Sequence, residues 1–189
     1  MSQGKLIIFS APSGSGKTTL VHHLLPKPEL KLAFSVSATS REKRPNEEHG
    51  KDYYFLSADE FRKRISAGDF LEWEEVYTDQ FYGTLRSEIN RIHSEGKTVV
   101  FDVDVVGGVN LKKEFGESAL AIFVQPPSIE ELERRLRNRS TESEESLAKR
   151  VAKSAEELEY ANQFDVVIIN DDLETAKAEA YNLVSDFTK

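Results

Sequence analysis

The stretch Phe9–Leu20 reads FSAPSGSGKTTL and follows directly on the apolar residues Leu6, Ile7 and Ile8. Glycine loses more backbone freedom on folding than any other residue, so Gly14 and Gly16 in so short a segment need a reason. One reading is a plain turn between a strand and a helix. The other is a phosphate cradle. A strand, a loop with inward-turned amides and a helix N-terminus together suit a chain of phosphates. Ala11-Pro12-Ser13-Gly14-Ser15-Gly16-Lys17-Thr18 fits the phosphate-loop spacing at every position but the first, where Ala11 stands for glycine. Ala11 asks only for a negative φ, which alanine adopts freely. The flanks agree: Leu6–Phe9 reads as a buried strand. Leu20, Val21, Leu24 and Leu25 recur at helical spacing until Pro26 ends the helix. In this reading the loop through Thr19 wraps a nucleotide phosphate chain. Lys17 reaches the β- and γ-phosphates, and the Thr18 hydroxyl holds Mg²⁺.

The chain has 189 residues, 39% hydrophobic and 31% charged. That describes a globular protein of one domain, or a core domain with insertions, long enough for a sizeable core. Cysteine is absent, which excludes disulfides, thiol chemistry and thiolate zinc sites. No apolar run approaches the roughly 18 residues of a membrane span, and no signal-peptide pattern is seen, so a cytoplasmic protein with no membrane partner is expected. The formal charge of −8 argues against a nucleic-acid partner, which needs a basic face. It leaves room for a local basic cleft around a small phosphate ligand.

Apolar runs alternate with amphipathic ones. Lys97–Asp102, Ala119–Val124 and Phe164–Ile169 read as strands, and Ile129–Leu136 and Leu173–Phe187 as helices. This alternation implies right-handed βαβ units and a parallel sheet covered on both faces. Between Phe34 and Gly83 aromatics and charges crowd around short extended pieces, DYYF at 52–55 and EWEEVY at 72–77. That region reads as a small, mixed, strand-rich insertion. Arg137–Glu157 is polar, with helical charge spacing and no core stripe before Leu147 and Val151. It reads as a mobile helical cover, or equally as a solvated surface helix.

Three groups beyond the loop carry chemistry. Ser37, Arg41 and Arg44 combine a hydroxyl with two guanidinium forks suited to bidentate phosphate recognition, and Tyr53 and Tyr82 add phenol donors. Alone, this segment also reads as a solvated basic loop. Asp102 and Asp104 close an apolar strand, the usual place for an acid that supports Mg²⁺ beside a phosphate loop. Glu72 sits in a strand-like stretch. A carboxylate only accepts hydrogen bonds, so it suits guanine, which offers N1–H and an amino group side by side. Adenine would leave it unpartnered, at a large loss; a plain surface acid remains the other reading. Arg135, Arg139 and Arg150 belong to the polar cover. They fit either the charge of phosphoryl transfer or ordinary helix-surface ion pairs.

In this order the pieces resemble the guanylate kinase family from about Lys5 to the C-terminal helix. The stretches that carry the resemblance are APSGSGKTTL, FSVSATSREKRP, GKDYYF, GDFLEWEEVY, FYGT, FDVDVVGG, RNRSTESEESLAKR and VVIINDDLETA. The resemblance implies an α/β, P-loop three-layer fold with a central, mostly parallel sheet. It implies one domain in three parts: a core of 1–33, 86–134 and 160–189, a mixed strand-rich GMP-binding insertion at 34–85, and a helical lid at 135–159. It also implies the reaction ATP + GMP → ADP + GDP with Mg²⁺.

Carried over by position, Ser37, Arg41, Arg44, Tyr53 and Tyr82 are expected on the GMP phosphate. Glu72 and Thr84 are expected on guanine with Gly83 beside them, and Asp104 is a further GMP candidate. Asp102 and Thr18 are expected at the metal, Lys17, Arg135, Arg139 and Arg150 around the transferring group, and Asn170 near adenine. Four positions depart from the family pattern: Ala11, Val106, Asn138 and Ser140. The last two stand where the cover usually has glycines and bear on lid closure. A non-enzymatic binding module of the same fold and a kinase for another nucleoside monophosphate are the alternatives. The intact loop and arginines favour an enzyme, and Glu72 with the SVSATS segment favours guanine. Use of dGMP, oligomeric state and regulation are left open.

Overall fold

The structure is a computed structural model. It describes residues 4–139 and 144–189, apart from the side chains of Val76 and Arg139. In chain order the elements are β1 (Leu6–Ser10), α1 (Lys17–Leu24), β2 (Leu32–Phe34), β3 (Ala38–Thr39), β4 (Tyr54–Phe55), α2 (Ala58–Ser66), β5 (Phe70–Tyr77) and β6 (Gln80–Leu85). Then follow α3 (Arg86–Ser94), β7 (Thr98–Val103), α4 (Val105–Phe115), β8 (Ala119–Gln125), α5 (Ile129–Arg139), α6 (Glu144–Leu158), β9 (Val166–Ile169) and α7 (Leu173–Thr188). The chain forms two compact units, one comprising the chain to Leu32 with Val100–Lys189, the other Ala33–Val99.

The central sheet is mostly parallel and runs β2-β7-β1-β8-β9. β1 pairs in parallel with β8, from Leu6 opposite Ala119 to Ser10 opposite Phe123, and β8 pairs in parallel with β9. Every residue of β1 is buried, as expected of a strand covered on both faces. One face packs Ile7 and Phe9 with Leu20, Val21 and Leu24 of α1 and Ala176, Ala180 and Val184 of α7. Side-chain caps start two of the helices that the apolar pattern left undrawn, α2 and α4. Asp104 Oδ1 accepts from the Gly107 N–H at 2.6 Å to begin α4. Ser57 Oγ accepts from the Glu60 N–H at 3.1 Å to begin α2, with the S-x-x-E spacing of a capping box.

The polar segment 137–157 also finds a core. Leu147 on α6 is buried with Leu132 and Leu136 of α5, and Val151 packs against them. Asn138 lies inside α5 and is exposed, whereas Ser140 falls outside the described residues. No helix among the described residues is long and apolar enough to cross a membrane.

The second unit carries a mixed sheet in the order β4-β3-β6-β5. β3 and β4 are parallel, whereas β3 with β6 and β5 with β6 are antiparallel. This unit includes α3, so it reaches past the strands that the sequence marked. Its core is aromatic: the Phe61 ring stacks on Phe70 at 4.2 Å and on Phe81 at 5.3 Å between centroids. Phe61 has no exposed surface. Truncating such a ring removes its transfer energy and leaves a cavity. Phe61→Ala is therefore expected to lower unfolding stability by about 3–5 kcal/mol, read from urea or guanidinium transitions.

Candidate active site

In the first unit the turn after β1 takes the shape its glycines allow. Gly14 and Gly16 adopt φ of +91° and +94°, the left-handed region that side chains resist. A Cβ on Gly16 would lie 2.2 Å from Asn170 Nδ2. That amide donates to the Ser15 carbonyl at 2.8 Å, and Asn170 is buried. Ala11 packs into the core beside β1 and keeps a negative φ, so its departure from glycine is accommodated.

Because β7 neighbours β1, its acidic end meets the start of α1. Lys17 Nζ lies 2.5 Å from Asp102 Oδ1 and donates to the Val103 carbonyl at 2.6 Å. The Thr18 hydroxyl donates to Asp102 Oδ2 at 2.8 Å. Thr18 and Asp102 thus present oxygen ligands side by side. Such hard donors suit Mg²⁺, which takes one or two protein oxygens and completes its shell with water and substrate phosphates.

A cavity of about 520 Å³ opens over the loop, walled also by Asp104, Arg150, Lys153 and Glu157. Arg150 Nη2 donates to the Ser13 hydroxyl at 2.7 Å, tying α6 to the loop. Burial, with the charge of Asp104 adding, pushes the Glu157 carboxyl above its ordinary range. A neighbouring cavity of about 350 Å³ is lined by Gly14, Gly16, Thr19, Arg135, Asn138 and Asn170 among others. Arg135 donates to Glu131 at 2.8 Å and to the Asn170 carbonyl at 2.9 Å. Hydrogen bonds from Arg134 and Arg135 hold the Glu131 carboxyl down at about 2. The side chain of Arg139 lies outside the described residues.

The second unit gathers another set. Glu72 and Thr84 face each other across β5 and β6, and the Thr84 hydroxyl donates to Glu72 Oε1 at 2.6 Å. Gly83, next in β6, sits between Ala38 and Trp73 in register. The Tyr53 and Tyr82 rings meet edge-on at 6.0 Å, and the Arg41 guanidinium lies 5.1 Å from the centre of the Tyr53 ring. Arg41 makes a two-pronged pair with Glu47, at 2.5 and 2.8 Å. That pair, and the Arg44 N–H, hold the Glu47 carboxyl at about 2. Ser37 is half-buried and its carbonyl accepts from the Tyr54 N–H at 2.9 Å. Arg44 is exposed and bonds Glu47 through its backbone N–H at 2.9 Å. Asp104 belongs to the first unit, where it caps α4 beside the phosphate loop.

Arranged this way, the first unit is of the phosphate-loop nucleotide-binding class. Comparison with known proteins narrows the class. The guanylate kinase family matches residues 3–186. A guanylate kinase of Bacteroides fragilis is 58% identical, over 98% of this chain and 90% of its own. One from Porphyromonas gingivalis is 54% identical over 97% of both chains. The crystal structure of guanylate kinase from Anaplasma phagocytophilum superimposes with a TM-score of 0.69 at 28% identity, covering 98% of this chain and 87% of that one. The chain belongs to the guanylate kinase family, and it is a kinase, a transferase of phosphoryl groups.

Sequence reasoning passed over two contributors to these sites, Glu47 and Glu88, and one role of Asn170. Glu47 fixes Arg41, and its signal was an acid within one turn of a basic pair. Asn170 was expected near adenine, yet its amide also locks the loop backbone. Glu88, an acid on the apolar stripe of α3, is taken up below. Gly16→Ala would force a left-handed alanine, a strain of about 1–2 kcal/mol, and would press on Asn170. Affinity for a nucleoside triphosphate is expected to fall about tenfold or more, measured by calorimetric titration.

Proposed function

We propose that the protein transfers the γ-phosphoryl group of ATP to GMP, with Mg²⁺, giving ADP and GDP. The observation that carries the reading is the cluster of Lys17, Thr18 and Asp102 under the phosphate loop. Family membership supports it, and the Glu72–Thr84 pair supports guanine as the acceptor base. The loop amides and Lys17 cradle the ATP phosphates, with the base near Asn170. Thr18 and Asp102 would hold Mg²⁺, which supplies charge to the β- and γ-oxygens when bound. Ser37, Arg41, Arg44, Tyr53 and Tyr82 grip the GMP phosphate, with Asp104 as a further contact. Gly83 lets β6, which carries Thr84, lie close against Glu72 on β5.

Transfer needs little covalent help. The attacking GMP phosphate oxygen is already ionised, so no strong general base is required. What remains is in-line placement and neutralisation of charge on the moving group. Lys17, Arg135, Arg139 and Arg150 supply that charge. Residues 135–159 act as a lid that excludes water and suppresses idle hydrolysis of ATP. The remainder divides as a core of 1–33, 86–134 and 160–189 and a GMP-binding insertion of 34–85. Action in the cytoplasm, where both nucleotides are found, with no nucleic-acid partner, completes the reading.

The test is a coupled ADP-release assay with ATP and Mg²⁺, offering GMP, dGMP, AMP, UMP and CMP in parallel. ADP is expected with the guanine nucleotides alone. Turnover with AMP or UMP would move the protein to another monophosphate specificity. GMP binding without ADP release with any acceptor would mark a binding module instead. Glu72→Gln replaces an acceptor charge on the guanine side. A hydrogen bond to a charged group is worth about 1.5–3 kcal/mol, so KM for GMP should rise about ten- to a hundredfold while KM for ATP stays near its starting value. A rise in KM for ATP alone would sink the guanine assignment.

A further inference from the structure

We propose that Glu88 is a positioning residue for the acceptor nucleotide, acting through the two segments that carry Ser37 and Tyr53. The inference rests on the reading of those residues as ligands of the GMP phosphate. Glu88 lies on α3 and is 2% exposed. A carboxylate so buried needs its acceptor sites filled, and an isolated one would be costly. Four donors fill them. Oε1 accepts from the Val36 N–H at 3.2 Å and from Arg91 Nη2 at 2.8 Å. Oε2 accepts from the Tyr54 hydroxyl at 2.7 Å and from Arg91 Nε at 2.9 Å. Burial alone would push this carboxyl up; the Arg91, Tyr54 and Val36 hydrogen bonds together overcome that and leave it below its ordinary value. It therefore remains an acceptor across the physiological range.

The donors are what give the cluster meaning. Val36 is the residue before Ser37, and Tyr54 is the residue after Tyr53. Residues 35–37 lie between β2 and β3, so Val36 makes no ladder bond and Glu88 supplies the acceptor its N–H requires. The Tyr54 N–H in turn donates to the Ser37 carbonyl at 2.9 Å. One buried oxygen pair thus ties together segments 52 and 34 positions away in sequence. It fixes the backbone on which the Ser37 hydroxyl and the Tyr53 phenol are carried, without itself being one of the proposed ligands. Beside the cluster is a cavity of about 310 Å³ lined by His49, Tyr54, Arg64, Glu88 and Arg91 among others. It gives the Tyr54 side chain room to move once its partner is lost.

The test compares wild type with Glu88→Gln, which keeps the shape but turns one acceptor into a donor facing donors, and with Tyr54→Phe, which removes a single donor. Initial rates are measured against GMP at saturating ATP and against ATP at saturating GMP, alongside thermal melts. A misplacement of about 1 Å can cost roughly a hundredfold. A rise of about tenfold in KM for GMP is expected in Glu88→Gln, and a smaller rise in Tyr54→Phe. In both, kcat and KM for ATP should stay within about twofold. Unchanged KM for GMP in both variants of an active enzyme would overturn the positioning role and leave the function standing. So would a lowered melting temperature with kcat and both KM values shifted together, the mark of general loosening. If Glu88→Gln does not fold, Tyr54→Phe carries the same split. Wild type with no turnover on GMP would overturn the functional reading itself, which the variants do not test.

Discussion

Lys17 and Asp102 meet at 2.5 Å only because β7 was inserted beside β1, and the rest of the first unit is organised around that adjacency. The chain leaves β1 through the phosphate loop, enters α1, and returns far later to lay an acid next to the loop. Ligands gather outside the carboxyl ends of parallel strands in folds of this kind. Here the consequence is chemical. A lysine that would otherwise be a flexible surface cation is held by a carboxylate and a backbone carbonyl. The same carboxylate orients Thr18. Lys17 and Asp102 are half-buried; taking charges out of water costs energy that a pair recovers only with good geometry and further hydrogen bonds, and these extra partners supply them.

The same device recurs. Arg41 is held by Glu47, Arg135 by Glu131, and Arg150 donates to the Ser13 hydroxyl. In a chain of net charge −8, Lys17, Arg41, Arg135 and Arg150, four of the cations proposed to grip phosphates, are each set in place by an oxygen acceptor. A phosphate arriving at such a group exchanges one oxygen partner for another. The side chain has already lost most of its freedom, so less entropy is surrendered on binding. Glu88 applies the principle one step further out, with a buried carboxylate fixing backbone instead of a side chain that meets ligand.

The architecture was legible where pattern and element coincide. The apolar runs at 6–9, 97–102 and 119–124 became β1, β7 and β8, and 129–136 and 173–187 became α5 and α7. The short helices α2 and α4 were not, because their starts depend on single caps, Ser57 and Asp104, and not on a long amphipathic stripe. Asp104 shows the difficulty. From sequence it is one of two acids ending a strand; in the fold it spends one oxygen on the Gly107 N–H. The polar segment 137–157 looked solvated because its apolar residues are too sparse to make a stripe alone. They become a core only when paired with Leu132 and Leu136.

By itself the sequence determined the phosphate loop, since glycines at 14 and 16 followed by lysine and threonine form a local pattern with a local physical cause. It determined the alternating architecture and the family, because long apolar runs and the order of several motifs survive without knowledge of contacts. Only the tertiary structure decided which acid serves which cation, that Asn170 braces the loop at Ser15, and that Glu88 is buried beneath the segments bearing Ser37 and Tyr53. These pairings join residues up to 155 positions apart. Hydrogen bonds depend on distance and direction in space, and a one-dimensional spacing does not encode either until the strands are laid side by side.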